Sequence, residues 1–149
     1  MGGDIIMWNP NVRPYGEYFA KAQAITTTAA AGNQTVNNPS RLDASQSGTA
    51  IRVAVPIGGS LTVASAATIT LNVKGAKTAT DTAILLGTAV YTNDTGAAAT
   101  LGSDTTLLEF VLPHAVFTYP FIKVEILGSA APTGTVDIFP HYVSAPRRG

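Results

Sequence analysis

Two histidines, His114 and His141, are the side chains best suited to acid–base or metal chemistry in this sequence, and each stands beside a proline. A metal site needs several imidazole, thiolate or carboxylate donors at short spacing, and only Asp137 lies near either histidine. The carboxylates (Asp4, Glu17, Asp43, Asp81, Asp94, Asp104, Glu109, Glu125, Asp137) are dispersed. A fold could still bring two of them to either side of a glycosidic bond, but aromatic residues to line a sugar cleft make up only 7% of the chain. There is no G-x-S-x-G elbow, P-loop or G-x-G-x-x-G turn. Gly58-Gly59 reads as a turn, and both histidines read as structural or solvent-facing. Asn33-Gln34-Thr35 and Asn93-Asp94-Thr95 are glycosylation sequons. With no secretion signal ahead of them, they read as ordinary loop residues. The expectation is a protein that is not an enzyme, with no catalytic residue, metal or cofactor.

Composition narrows the class further. Cysteine is absent, so packing or assembly must stabilise the chain without disulfides. Nine basic and nine acidic residues cancel, and charged residues are only 12% of 149. That balance argues against direct nucleic-acid binding through phosphate contacts. Low charge density is poor for solubility as a monomer, a hint that other chains cover much of the surface. No apolar run approaches the roughly 20 residues of a membrane helix, so no membrane partner is expected. Thr and Val are frequent while Leu, Glu, Lys and Arg are scarce, which favours strands over helices.

The strands are read from alternation. The clearest stretch is Phe121 to Tyr142: Ile122, Val124 and Ile126 oppose Lys123 and Glu125, then Val136 and Ile138 oppose Thr135 and Asp137. With Gly128, Pro132 and Gly134 between the halves, it reads as a long antiparallel hairpin. Ile51, Val53, Val55 and Ile57 share one face of a strand that Pro56 ends, and Ile69, Leu71 and Val73 share a face of another. Leu108, Phe110 and Leu112 oppose Glu109 and Val111. Thr82 to Tyr91 is apolar without clear alternation, so it is either buried on both faces or bent at Gly87. Ala24 to Ala30 is a Thr-rich strand candidate, and Glu17 to Ala24 has room for a helical turn or two. Gly32 to Gly48 reads as a long surface loop pinned by Val36 and Leu42, and Asn93 to Asp104 as a second loop. Seven or eight strands at this spacing, without βαβ alternation, predict an all-β sandwich.

The ends are organised differently. Residues 1–19 form an extended arm crowded with Ile5, Ile6, Trp8, Tyr15, Tyr18 and Phe19 and interrupted by Pro10, Pro14 and Gly16. The prolines prevent a continuous helix. Such an arm either folds back to plug its own domain or reaches a neighbouring subunit, since aromatics are enriched in both settings. The sandwich domain then spans 20–143, with a tail at 144–149 ending in Arg147-Arg148.

Four stretches resemble the capsid cement, or decoration, proteins of short-tailed bacteriophages: AKAQAITTTAAAGNQTV (Ala20 to Val36), AIRVAVPI, ILLGTAVYT (Ile84 to Thr92), and LLEFVLP followed by YPFIKVEILGSAAPTGTVDIF (Tyr119 to Phe139). Together they cover about Ala20 to Tyr142. The resemblance implies a jelly-roll-like antiparallel β-sandwich that assembles as a homotrimer. It would bind the major capsid protein on the outer surface of the virion head and hold the shell against DNA pressure. Ile5, Ile6, Trp8, Tyr15, Tyr18 and Phe19 would then anchor the arm at an interface. The competing expectations are another virion part, such as a tail, fibre or vertex β-domain, and a carbohydrate-binding sandwich.

Overall fold

The computed structural model describes residues 18–34, 40–41, 49–78, 80–112, 119 and 121–142. Among them there is no helix. The strands are β1 (Ala20–Ala24), β2 (Ala30–Ala31), β3 (Ser40–Arg41), β4 (Thr49–Ala54), β5 (Leu61–Val63), β6 (Thr68–Ala76), β7 (Ile84–Thr92), β8 (Ala99–Leu101), β9 (Thr106–Val111), β10 (Phe121–Gly128) and β11 (Thr133–Tyr142). All pairings are antiparallel.

Three of the runs are single strands interrupted by short excursions. β4 and β5 follow one another along β11: Tyr142 to Asp137 face Thr49 to Ala54, and Gly134 and Thr133 then face Leu61 and Thr62. β9 and β8 follow one another along β4 and β5 in the same way, as β2 and β3 do along β10. Counted so, eight strands form two sheets. One runs β1, β11, β4/β5, β9/β8, and the other β2/β3, β10, β6, β7. Apart from the β6–β7 pair, successive strands cross between the sheets as in a jelly roll, the double-sheet arrangement that disposes of most edges. The expected all-β sandwich is therefore present.

The core lies between the sheets. Ile51, Val53, Val136 and Ile138 from the first meet Ile69, Leu71, Val73, Ile122, Val124 and Ile126 from the second, and all are fully buried. The alternation seen in the sequence thus marks the inward faces.

β10 and β11, expected to be a hairpin, do not pair with each other. β10 bonds to β6 and to β2/β3, and β11 to β1 and to β4/β5. They are the inner strands of opposite sheets, joined by an arch. Alternation tells which face is apolar, and two strands facing each other across a core show the same pattern as two paired side by side. The arch lands at Gly134, whose φ is +117° and whose added Cβ would sit 2.3 Å from the Ser60 carbonyl oxygen.

Other local expectations are corrected. Glu17 to Ala24 offers no helical turn within the described residues; Ala20–Ala24 is a strand. Ala24 to Ala30 is the corner between β1 and β2, not a strand of its own. Ile57 leaves the apolar face of its neighbours and is 72% exposed, because Pro56 and Gly58, at φ +82°, turn the chain there. β7 is not buried on both faces: Ile84, Leu85 and Val90 are exposed. Its register against β6 slips beside Gly87, where the Phe110 ring occupies the space of a missing Cβ. Val36 and Leu42 lie outside the described residues.

Phe19, expected in the arm, belongs to the core. It is fully buried, its N–H donates to the Ile138 carbonyl at 2.8 Å, and its own carbonyl accepts from the Gln34 N–H at 3.0 Å. A ring already enclosed by its own sandwich has no surface left to offer another chain. Phe19→Ala is expected to cost about 3–5 kcal/mol of unfolding free energy in urea titration. A loss below about 1 kcal/mol would return Phe19 to the periphery.

Candidate interaction surface

The predicted anchor residues divide. Ile5, Ile6, Trp8 and Tyr15 lie outside the described residues, as do His114, Arg147 and Arg148. Tyr18 is half-buried against Phe139 on the outer face of the first sheet, with ring centroids 5.6 Å apart at 53°. Phe139 is on that face because it alternates with the core residue Ile138 and pairs laterally with Arg52. The Lys21 ammonium lies 5.3 Å from the Tyr18 ring centroid, within cation–π range.

A bulge shapes this corner. Lys21 and Ala22 together oppose the single residue Asp137, and Ala22 takes a left-handed φ of +50°. The buried Asp137 carboxylate accepts the freed Ala22 N–H at 2.8 Å. Next to it Gln23 ties the two sheets together. Its side-chain NH2 donates to the Ala31 carbonyl at 3.0 Å and its oxygen accepts from the Asn33 N–H at 2.7 Å. Asn33, the first sequon asparagine, is exposed but bonded both ways to the Lys21 backbone.

Further along the same outer face, Arg52 grips Glu109 across β4 and β9. Its Nη2 and Nε lie 2.7 and 3.0 Å from one carboxylate oxygen. His141 is half-buried nearby on β11, paired with Ala50. Burial holds its imidazole below the ordinary value, the Arg52 charge adds to this, and Glu109 opposes it. Among the described residues no three His, Asp or Glu side chains stand close enough to hold a metal ion. Nor is any helix among them long and apolar enough to cross a membrane.

A depressed histidine pKa has a defined sign. Below the ordinary value of 6.5 the unfolded chain takes up a proton that the folded chain resists. Stability is therefore lost as pH falls from 6.5 toward the lower folded value. Thermal unfolding across that window should show the midpoint falling in wild type and falling less in His141→Gln. Equal slopes would remove His141 from the effect.

The most completely engaged polar side chain among the described residues is one the sequence reading treated as an ordinary loop residue. Asn93 is fully buried. Its side-chain NH2 shares its hydrogens among the Val63, Ala64 and Ala97 carbonyls at 3.0, 3.0 and 2.9 Å. Its oxygen accepts the Thr95 hydroxyl at 2.8 Å and the Thr95 N–H at 3.2 Å. Its backbone pairs with Ala66 and Ala67. One amide so joins the ends of β5 and β7, the turn into β6, and the segment leading to β8. Asn93→Ala would withdraw a donor from three carbonyls, of which Ala64 keeps the Ala67 N–H and Ala97 keeps the Thr95 hydroxyl. It is expected to cost roughly 2–4 kcal/mol, read as a shifted urea midpoint; an unmoved midpoint would mean that water replaces the amide without loss.

Five large apolar side chains among the described residues are exposed. Ile57 stands at a tip where the Gly58 N–H donates to the Ser103 hydroxyl at 2.7 Å. Val111 is exposed at the end of β9, and Ile84, Leu85 and Val90 line β7. Sequence reading missed the β7 group, and the only signal for it was an apolar run whose alternation fails. No protein-family model matches the chain, and no curated protein matches it either.

Proposed function

We propose that this chain is a structural virion component: a cement protein that binds, as a homotrimer, the major capsid protein on the outer surface of a phage head. The reading draws on the resemblance over Ala20 to Tyr142, and the eight-strand jelly roll agrees with what that resemblance implies. A fold alone carries no function. The observation that carries the proposal is the surface. Large apolar side chains at Ile57, Val111 and along β7 are exposed on a disulfide-free frame with few charges. Exposed apolar side chains on a charge-poor frame are compatible with burial between subunits. Each contact would be weak, and the repetition of a shell would add them into a strong clamp. In this reading the chain touches neither the packaged DNA nor a membrane, and needs no cofactor.

The test is the copy number of this chain in purified particles, by quantitative mass spectrometry against the major shell protein. A number comparable to that of the shell subunit is expected. A few copies per particle would favour a tail, fibre or vertex role, and absence would end the virion reading. In rebinding to stripped particles, a chain lacking residues 1–17 should stay folded and lose shell affinity, as the expected arm anchors Ile5, Ile6, Trp8 and Tyr15 require.

A further inference from the structure

β7 is the edge of the second sheet, pairing only with β6 among the described residues. No described strand pairs with its far edge, and β9 packs beside it at Gly87, where the Phe110 ring lies. Natural edge strands are normally blunted by lysine, proline, bulges or shortness. β7 is nine residues long and has no charge and no proline anywhere from Thr82 to Asn93. Its one slip lies beside Gly87, so from Gly87 to Thr92 it pairs with β6 without interruption. Over that half the outward side chains are Thr88, Val90 and Thr92, all exposed, and Val90 is 54% exposed.

From this edge we infer that β7 pairs with β7 of a second copy about a two-fold axis at Val90. The occupant follows from charge. A two-fold antiparallel pairing sets the axis residue against its own copy and residues equally far on either side against one another, so a charge on the axis would meet its like. β7 has none to oppose, and the axis position is set by the acids at its ends. An axis at Thr88 would bring Asp94 of one copy beside Thr82 and Asp81 of the other. An axis at Val90 sets Asp94 opposite the partner subunit's Leu86 and leaves Asp81 beyond the pairing. Val90 then meets the partner subunit's Val90, and Thr88 meets the partner subunit's Thr92. The row Leu127, Thr70, Val90 continues across the axis into its own copy, since Leu127 pairs with Thr70 and Thr70 with Val90. On the inward side Tyr91 faces the partner subunit's Ala89. This contact does not rest on the virion reading; it is a property of the chain in solution.

The experiment is the mass of the purified full chain by light scattering over a range of concentrations, with Val90→Lys and, as a charge control on the turn before β6, Ser65→Lys. The expected masses are even: two chains, or six if the three-fold assembly also forms. Amide exchange at Thr88 to Thr92 should slow as concentration rises. Val90→Lys opposes two ammonium groups at the axis and should weaken association about tenfold or more. Because Val90 points outward, its thermal midpoint at low concentration should match wild type, while Ser65→Lys leaves the mass unchanged. A mass of one or three chains throughout, or an even assembly that Val90→Lys leaves intact, overturns the inference.

Discussion

β10 and β11 face each other across the core, and the rest of the sandwich is referred to that pair. Each is flanked by strands on both edges, each presents an unbroken row of buried aliphatic side chains, and only the short arch from Ser129 to Pro132 joins them. Stacked sheets lie about 10 Å apart, so the arch must cross the layer within four residues. That requirement accounts for the proline at Pro132 and for Gly134, where the incoming chain runs against Ser60. Once these two strands are placed, β6 and β4 have a single edge each to occupy, and β7 and β9 fall at the outside.

The buried polar side chains among the described residues, Gln23, Asn93 and Asp137, stand where the chain leaves regular pairing. Asp137 answers the bulge at Ala22, Gln23 answers the crossing from β1 to β2, and Asn93 answers the meeting of three segment ends. In each case a backbone group that has lost its ladder partner is satisfied by a buried side chain, which is thereby satisfied in turn. The surface ion pairs, Arg52 with Glu109 and Lys74 with Glu125, span neighbouring strands and lie partly in water. They fix lateral pairing at little energetic weight. In the second pair Lys74 sits directly opposite Lys123, and its lean toward Glu125 relieves that like-charge opposition.

How much of this the sequence discloses depends on what alternation can encode. Ile69, Leu71 and Val73, and Ile122, Val124 and Ile126, disclose their buried faces because the period of two is uninterrupted. Alternation carries no information about the partner across the layer, hence the mistaken hairpin. β1 misleads in another way. Its bulge leaves Ala20 and Gln23 buried three residues apart, a helical spacing produced by a strand. β7 loses its alternation to the slip beside Gly87, so an exposed edge reads as a buried strand. Of the anchor residues, aromatic character located Tyr18 and Phe19 but could not separate a surface ring from a core ring. Asn93 left no mark, because an asparagine in a polar loop reads the same whether it meets water or three carbonyls.

The Asn93 amide has a consequence for how the protein can be made. Its side-chain nitrogen is the atom to which an oligosaccharide would be attached within Asn93-Asp94-Thr95, and it is also the donor that reaches the Val63, Ala64 and Ala97 carbonyls. A chain bearing carbohydrate there has no room to close the corner, and a chain that has closed the corner no longer offers the nitrogen to a transferase. At Asn93 the closed corner and an attached sugar are mutually exclusive. The choice of a production host therefore decides which of the two is obtained, and a secretory pathway pits the rate of corner closure against the rate of sugar transfer.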